Sequence, residues 1–200
     1  MRPSKLTPIV SALLLTLFLT GVGSAQSRQN SPPAQPGTIN YFEGQAFIGS
    51  QELSSSSVGS AKLQAGQSLT TQAGKVEVLL VPGTFVRVDD NSSVKMVNPG
   101  LADTEVEVDK GRAMVEGTDI NKQNNIRIDE NGVTTRILKN GLYSFDANQN
   151  TIRVFKGKAE VLVSDRKIAL GKERELVLST DAKAKARDFD ARNYEDDFFR

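Results

Sequence analysis

The feature that most constrains this chain is a polar–apolar alternation confined to short runs. Lys75–Val81 (KVEVLLV), Phe85–Asp90 (FVRVDD), Ser93–Val97 (SVKMV) and Thr104–Asp109 (TEVEVD) carry the two-residue period of a strand with one buried face. Asn125–Asp129 (NIRID), Leu142–Asp146 (LYSFD) and Thr151–Phe155 (TIRVF) repeat it. Turn formers separate the runs: Pro82-Gly83, Asp89-Asp90-Asn91, Pro99-Gly100, Asn131-Gly132 and Asn140-Gly141. Short strands at spacings of about 8–12 residues, punctuated this way, specify an all-β fold. The expected architecture is a sandwich-like or solenoid-like wound sheet, or a barrel, of short strands. No helical period competes with it before Thr180.

The ends of the chain have a different character. Arg2 and Lys5 precede an apolar stretch, Pro8 to Leu19, broken only by Ser11 and Thr16, and Gly23-Ser24-Ala25 then supplies small residues for cleavage. This is the pattern of a secretory signal segment, and it falls short of the roughly 20 apolar residues of a spanning helix. Residues 1–25 are therefore expected to be a signal peptide, the alternative being a retained anchor, and the protein is expected to be periplasmic or extracellular. No cysteine follows the apolar stretch, which excludes a lipidated start. Residues 26–38 (QSRQNSPPAQPGT) are polar and proline-rich, the composition of a disordered linker. Residues 39–180 have the length of one ordinary domain.

Residues 181–200 are charged. Ser179, Thr180 and Asp181 are N-cap candidates for a short C-terminal helix in which Ala191, Tyr194 and Phe198 recur at helical spacing. Ala182, Ala186 and Phe189 fall on another face, so the helix is weakly amphipathic. Two roles are open to this segment: packing on the sheet, or exposure as a docking tail through Tyr194, Phe198 and Phe199.

One phrase occurs three times: EGQAFIGS from Glu43, KGRAMVEG from Lys110 and KGKAEVLV from Lys156. Gly44, Gly111 and Gly157 are expected where a strand begins or bends, and Ala46, Ala113 and Ala159 where a neighbouring strand comes close. LQAGQSLTT (Leu63–Thr71) and IALGKERELVLS (Ile168–Ser179) follow the first and third phrases, so the domain opens and closes on similar strand–turn–strand units. A phosphate-cradling loop would open helices instead.

Composition removes whole classes of chemistry. The chain has no histidine and no cysteine, hence no Ser-His-Asp or Cys-His nucleophile and almost no route to a zinc site. An exported domain without disulfides must be held by its core. Carboxylates pair in sequence as Asp89-Asp90 and Asp129-Glu130, but both pairs flank turns, where acidic residues form local hydrogen bonds. Asp146, Asn148 and Asn150 have the spacing of the first ligands of a calcium loop. Thr151 and Gly157 stand where that loop needs glycine and glutamate, so a hairpin turn is the better reading. The sequence thus assigns no catalytic residue, no cofactor and no metal. With Arg2 and Lys5 removed, 23 basic and 24 acidic side chains remain. That balance gives no field for nucleic acid or an anionic membrane.

The order of these phrases resembles a known family. Leu63–Val97 (LQAGQSLTTQAGKVEVLLVPGTFVRVDDNSSVKMV) is similar to the first half of a FecR-type domain, and Lys110–Glu116 (KGRAMVE) resembles its central strand. Thr134–Val163 (TTRILKNGLYSFDANQNTIRVFKGKAEVLV) resembles its second half, with the V-x-x-G-x-A-x-V signature. The resemblance runs from about Tyr41 to Ser179. It implies an all-β module outside the cytoplasmic membrane. In iron-uptake regulators of the family, that module relays a signal from an outer-membrane transporter to a cytoplasmic segment that controls a sigma factor. Here only a handful of residues precede the apolar segment, leaving no room for that cytoplasmic part, and no regulatory residue is carried over.

Together these readings predict a non-enzymatic exported β-domain that contacts an envelope protein or another envelope component, through strand edges and through Tyr194, Phe198 and Phe199. The alternative is a lipid- or polysaccharide-binding module with an apolar cleft between two sheets.

Overall fold

The chain divides into two units, Met1–Pro32 and Pro33–Arg200. The computed structural model describes residues 35–120, 123–178, 184–194 and 196–199, all within the second unit. The segment expected to be a signal peptide, most of the expected linker, and the capping candidates Ser179, Thr180 and Asp181 lie outside the described residues.

The organising element is one long strand. β1 (Ile39–Ile48) turns back through β2 (Gln51–Glu52) and runs antiparallel to β3 (Ser68–Val81). The edge of β3 not taken by β1 is shared between two neighbours. Its C-terminal half pairs β4 (Thr84–Val88), and its first residues pair β5 (Ser93–Pro99). From this split two wings diverge. The first continues from β4 through β7 (Arg112–Gly117), β10 (Gly141–Asp146), β11 (Thr151–Lys156), β14 (Arg174–Val177) and β15 (Arg187–Asp188). The second continues from β5 through β6 (Asp103–Lys110), β8 (Asn125–Glu130), β9 (Val133–Ile137), β12 (Ala159–Val163) and β13 (Arg166–Leu170). Every pairing is antiparallel except β6 with β8. In chain order the strands alternate between wings, one or two at a time.

The wings stack on each other. β6 lies against β10 and β13 against β14, although neither pair is hydrogen-bonded. One buried apolar cluster draws on both: Val86, Val115, Tyr143, Phe145 and Ile152 from the first, and Val94, Met96, Val106, Ile128 and Val161 from the second. These are the apolar positions of the alternating runs, each contributing roughly 1.5–3 kcal/mol by leaving water. The fold is therefore all-β and sandwich-like, a mixed sheet closed over its own core.

Gly44 lies at a bulge in β1, while Gly111 and Gly157 come just before β7 and β12. All three have positive φ. At Gly157 a side chain would collide with the Tyr143 hydroxyl, which instead accepts from Lys158 N at 3.0 Å and donates to the Lys139 carbonyl. At Gly111 a side chain would collide with Ser92, whose Oγ accepts from Arg112 N at 2.9 Å. Each glycine is needed because a neighbouring polar group occupies the volume of a Cβ.

The C-terminal helix is shorter than the sequence implies. After the two-residue β15, the described part of the tail holds a single 3-10 turn, Ala191–Tyr194. Asp188, Asp190 and Asn193 favour turns, and the aromatic side chains are seated on the sheet, a placement that a continuous helix with split apolar faces does not provide.

Candidate functional site

The acidic pairs do not converge. Neighbouring residues on a strand point to opposite faces, so Glu130 is buried while Asp129 lies on the outer surface of the second wing. Asp89 is buried and receives Arg112 Nε at 2.8 Å and Nη2 at 2.6 Å, whereas Asp90 is exposed at the adjoining turn. Glu130 has both carboxyl oxygens buried, with the Asp146 and Thr151 backbone as its nearest polar neighbours. Burial, reinforced by the nearby Asp146 charge, pushes its carboxyl up to about 8, so it is a neutral acid at neutral pH.

The Asp146–Asn150 stretch forms the β10–β11 hairpin turn. Asp146 Oδ1 accepts from Gln149 N at 3.0 Å, Asn148 Oδ1 from Gly111 N at 3.1 Å, and Asn150 Oδ1 from Asn131 Nδ2 at 2.6 Å. Asn131 Nδ2 also donates to the Ala147 carbonyl at 3.0 Å. These side chains fasten the turn to its neighbours, so the spacing shared with a calcium loop serves the connection between strands.

The outer face of the first wing is unusual for a sheet surface. Register aligns Glu77, Arg87, Met114, Ser144, Arg153, Glu175 and Arg187 across β3, β4, β7, β10, β11, β14 and β15. An outward row would ordinarily be solvated, yet Met114, Ser144, Arg153 and Glu175 are buried. Residues 187–199 cover them. β15 adds to the edge of β14 through Arg174↔Asp188 and Glu175↔Arg187. The chain then crosses back over the face as a strap. Phe189 and Phe199 meet the Phe155 ring edge-on, at centroid distances of 5.1 and 4.8 Å. Tyr194 lies over the Arg153 guanidinium at 4.2 Å, and Phe198 over Arg112 at 4.8 Å. Met114, Phe155 and Phe198 form a second apolar cluster, with Leu142, Phe189, Ala191, Tyr194 and Phe199 packed around it.

Of the residues singled out in the sequence, Phe198 is thus 5% exposed and Tyr194 and Phe199 are half-buried. All three are spent on the chain's own sheet. The residues that receive them, Arg112, Met114, Arg153 and Phe155, were not marked by sequence reasoning. The available signal was in TIRVF, where Arg153 and Phe155 share the nominally polar face; a phenylalanine there asks for a cover.

Ion pairs hold the strap as well. Arg112 Nη2 donates to Asp196 Oδ2 at 2.6 Å while also binding Asp89. Burial would raise the Asp196 carboxyl, but donors from Arg112 and the Phe199 and Phe198 amides outweigh it and hold it below its ordinary value. Beneath the strap Arg153 Nε meets Glu175 at 2.9 Å, and Arg187 binds the second Glu175 oxygen at 2.7 Å. Clefts remain on either flank. One of about 670 Å³ is lined by Glu116, Leu142, Phe155, Lys156, Lys172 and Phe199, among others, and one of about 380 Å³ by Tyr41, Lys75, Arg87, Asp197 and Phe198 with neighbouring residues.

The outer face of the second wing has no such cover among the described residues. Glu105, Glu107, Arg127 and Asp129 stand on β6 and β8 in direct register. Arg127 binds Asp103 and Glu105, and Lys95 reaches Glu107 at 3.8 Å. The Arg127 guanidinium holds Asp103 and Glu105 below their ordinary values, whereas burial, with Glu105 and Glu107 nearby, pushes Asp129 up to about 6. Beyond β12 this wing ends on β13, which pairs on one side only among the described residues. Arg166, Lys167 and Ala169 are exposed along it.

Comparison with known proteins places this architecture. The FecR protein family model matches residues 67–160, from just before β3 to the first residues of β12. Two solved structures of a candidate anti-sigma factor from Parabacteroides distasonis ATCC 8503 share the fold. The one at 1.65 Å resolution is 14% identical, with a TM-score of 0.53 over 64% of this chain and 62% of that one. The one at 2.50 Å is 15% identical, with a TM-score of 0.52 over 62% and 60%. The matched region is thus about three fifths of those chains' length, and at this identity the likeness concerns the fold. None of the curated proteins matches. The chain carries a FecR-like domain.

Proposed function

We propose, taking the FecR-like domain as premise, that this protein is an exported, non-enzymatic interaction module that works in a signalling context by binding another protein of the cell envelope. The observation that carries the reading is the edge of β13 that has no partner strand among the described residues. Its backbone donors and acceptors face outward on one side, which is the requirement for adding a partner strand. Arg166 and Lys167 on it, with Lys172 just beyond, oppose pairing between two like edges and favour an acidic partner strand. The interior offers no rival surface: Val106, Ile128, Tyr143 and Phe145 fill the space between the wings, so an acyl chain could enter only by parting them. The family of the matched domain and the signalling assignment of the solved neighbours support the context.

Position-specific crosslinking tests this. A photoreactive residue replacing Ala169 is expected to yield one crosslinked species of defined mass in cells, weakened severalfold by Lys167→Glu. The same species formed equally from Val58, or indifferent to Lys167→Glu, sinks the assignment. Export is checked separately by N-terminal sequencing of the mature protein, which is expected to begin at Gln26.

A further inference from the structure

We propose that the outer face of β7, β10 and β11 is a docking surface for an acidic–aromatic peptide segment of a partner protein, and that residues 187–199 fill it in cis. The face and its cover are chemically matched but separate pieces. Arg112, Met114, Leu142, Arg153 and Phe155 lie inside the span matched by the family model, and the strap lies outside it. The surface alternates cations with apolar groups. Its cover sets anions between rings: Tyr194, Asp196, Asp197, Phe198 and Phe199.

Three contacts define the recognition. Tyr194 stacks on the Arg153 guanidinium, Asp196 pairs with Arg112, and Phe199 meets Phe155 edge-on. A cation held against a ring is worth more when desolvated, and Arg153 is fixed in place by its buried pair with Glu175. The Arg153–Glu175 pair belongs to β11 and β14 of the sheet and not to the strap.

The strap is held by side chains more than by backbone. Its ladder to β14 is two residues long, and its one regular turn has four residues. Nor does it fill the groove, since the 670 Å³ cleft continues past Phe199 beside Leu142, Lys156 and Lys172. A partner segment with acids flanked by rings in the same way and extending into that cleft would make the same three contacts and add others. Competition between the two makes the strap a threshold: the apparent affinity for a partner falls in proportion to the fraction of time the strap is seated.

Fluorescence anisotropy with a labelled peptide of the sequence of residues 185–200 tests the proposal on the full chain. Wild-type protein is expected to bind it weakly. Phe198→Ala, which loosens the strap and leaves the face intact, is expected to bind at least tenfold more tightly. Asp196→Lys, at an exposed position that does not endanger folding, should show a severalfold gain and carries the test if Phe198→Ala unfolds. Adding Met114→Glu to either variant should abolish binding. Equal affinity for wild type and folded variants, binding that survives Met114→Glu, or a scrambled peptide that binds as well would each overturn the proposal. So would dimers formed by strap exchange, which would make a second copy the occupant. The readout does not involve β13, so it stands or falls independently of the strand-addition reading.

Discussion

The two outer faces of this sheet are built from the same kind of alternating strand and meet opposite fates. On the second wing the outward row of β6 and β8 is ionic and half-buried, with no cover among the described residues; on the first wing the outward row holds a buried Arg153–Glu175 pair and a phenylalanine under a strap. The contrast teaches that an ion pair's worth depends on what covers it. In water, two opposite charges exchange solvation for each other at little net gain. Beneath Tyr194 and Phe189 the same exchange cannot be undone cheaply, because removing one partner strands the other in a poor dielectric.

The largest expected effect tests that contrast directly. Glu175→Ala should cost about 3–5 kcal/mol by leaving the buried Arg153 guanidinium without its carboxylate, whereas Lys95→Ala on the open face should cost about 0.5 kcal/mol or less. Urea denaturation of both variants measures the difference, and comparable losses would erase the distinction between the faces. Phe155→Ala follows, at about 3 kcal/mol, since the ring is the centre of the second apolar cluster; Leu162→Ala, exposed on β12, should cost a few tenths of a kcal/mol.

A pH experiment sharpens the comparison from the open side. Asp129 is pushed up to about 6, so the folded state keeps a proton that the unfolded chain releases near pH 4. Stability from this group is full below that pH and declines as the pH rises through about 6. Asp129 faces Glu105 and Glu107 on β6, Arg127 on its own strand and Thr134 on β9, with Lys95 on β5 beyond Glu107. Asp129→Asn should therefore raise the unfolding free energy at pH 7–8, by roughly 1–2 kcal/mol after discounting for solvent screening, and leave it unchanged at pH 4. A gain of the same size at both pH values would show that the effect is packing. A small effect belongs to the strap's exposed anchor: Asp196→Ala should cost less than about 1 kcal/mol, read as a modest rise in hydrogen exchange of the Phe198 and Phe199 amides.

Much of the fold was legible because the strand period is short and one face of each strand is buried. NIRID, LYSFD and TIRVF announce β8, β10 and β11, and the positive-φ glycines before β7 and β12 could be placed from their phrases. The length of β3 was not legible, since its first half, SLTTQAG, has no apolar alternation; partners on both edges hold it extended. Nor was the strap. Tyr194 and Phe198 stood out as rings among charges, but the sequence cannot say whether a ring is offered to a partner or laid on Phe155 and Arg112, because that depends on which outer face the topology brings beneath it.

The alternation of the chain between wings also governs how the protein comes into being. No stretch of sequence contains a complete wing: β4 waits for β7, which waits for β10, and the parallel β6–β8 pair cannot form until β7 has been laid on the other side. Such distant pairings are slow to assemble, because loops must close before contacts reward them. Half a domain lacks the partners its strands pair with, so the long-range ladders complete only as the later strands become available.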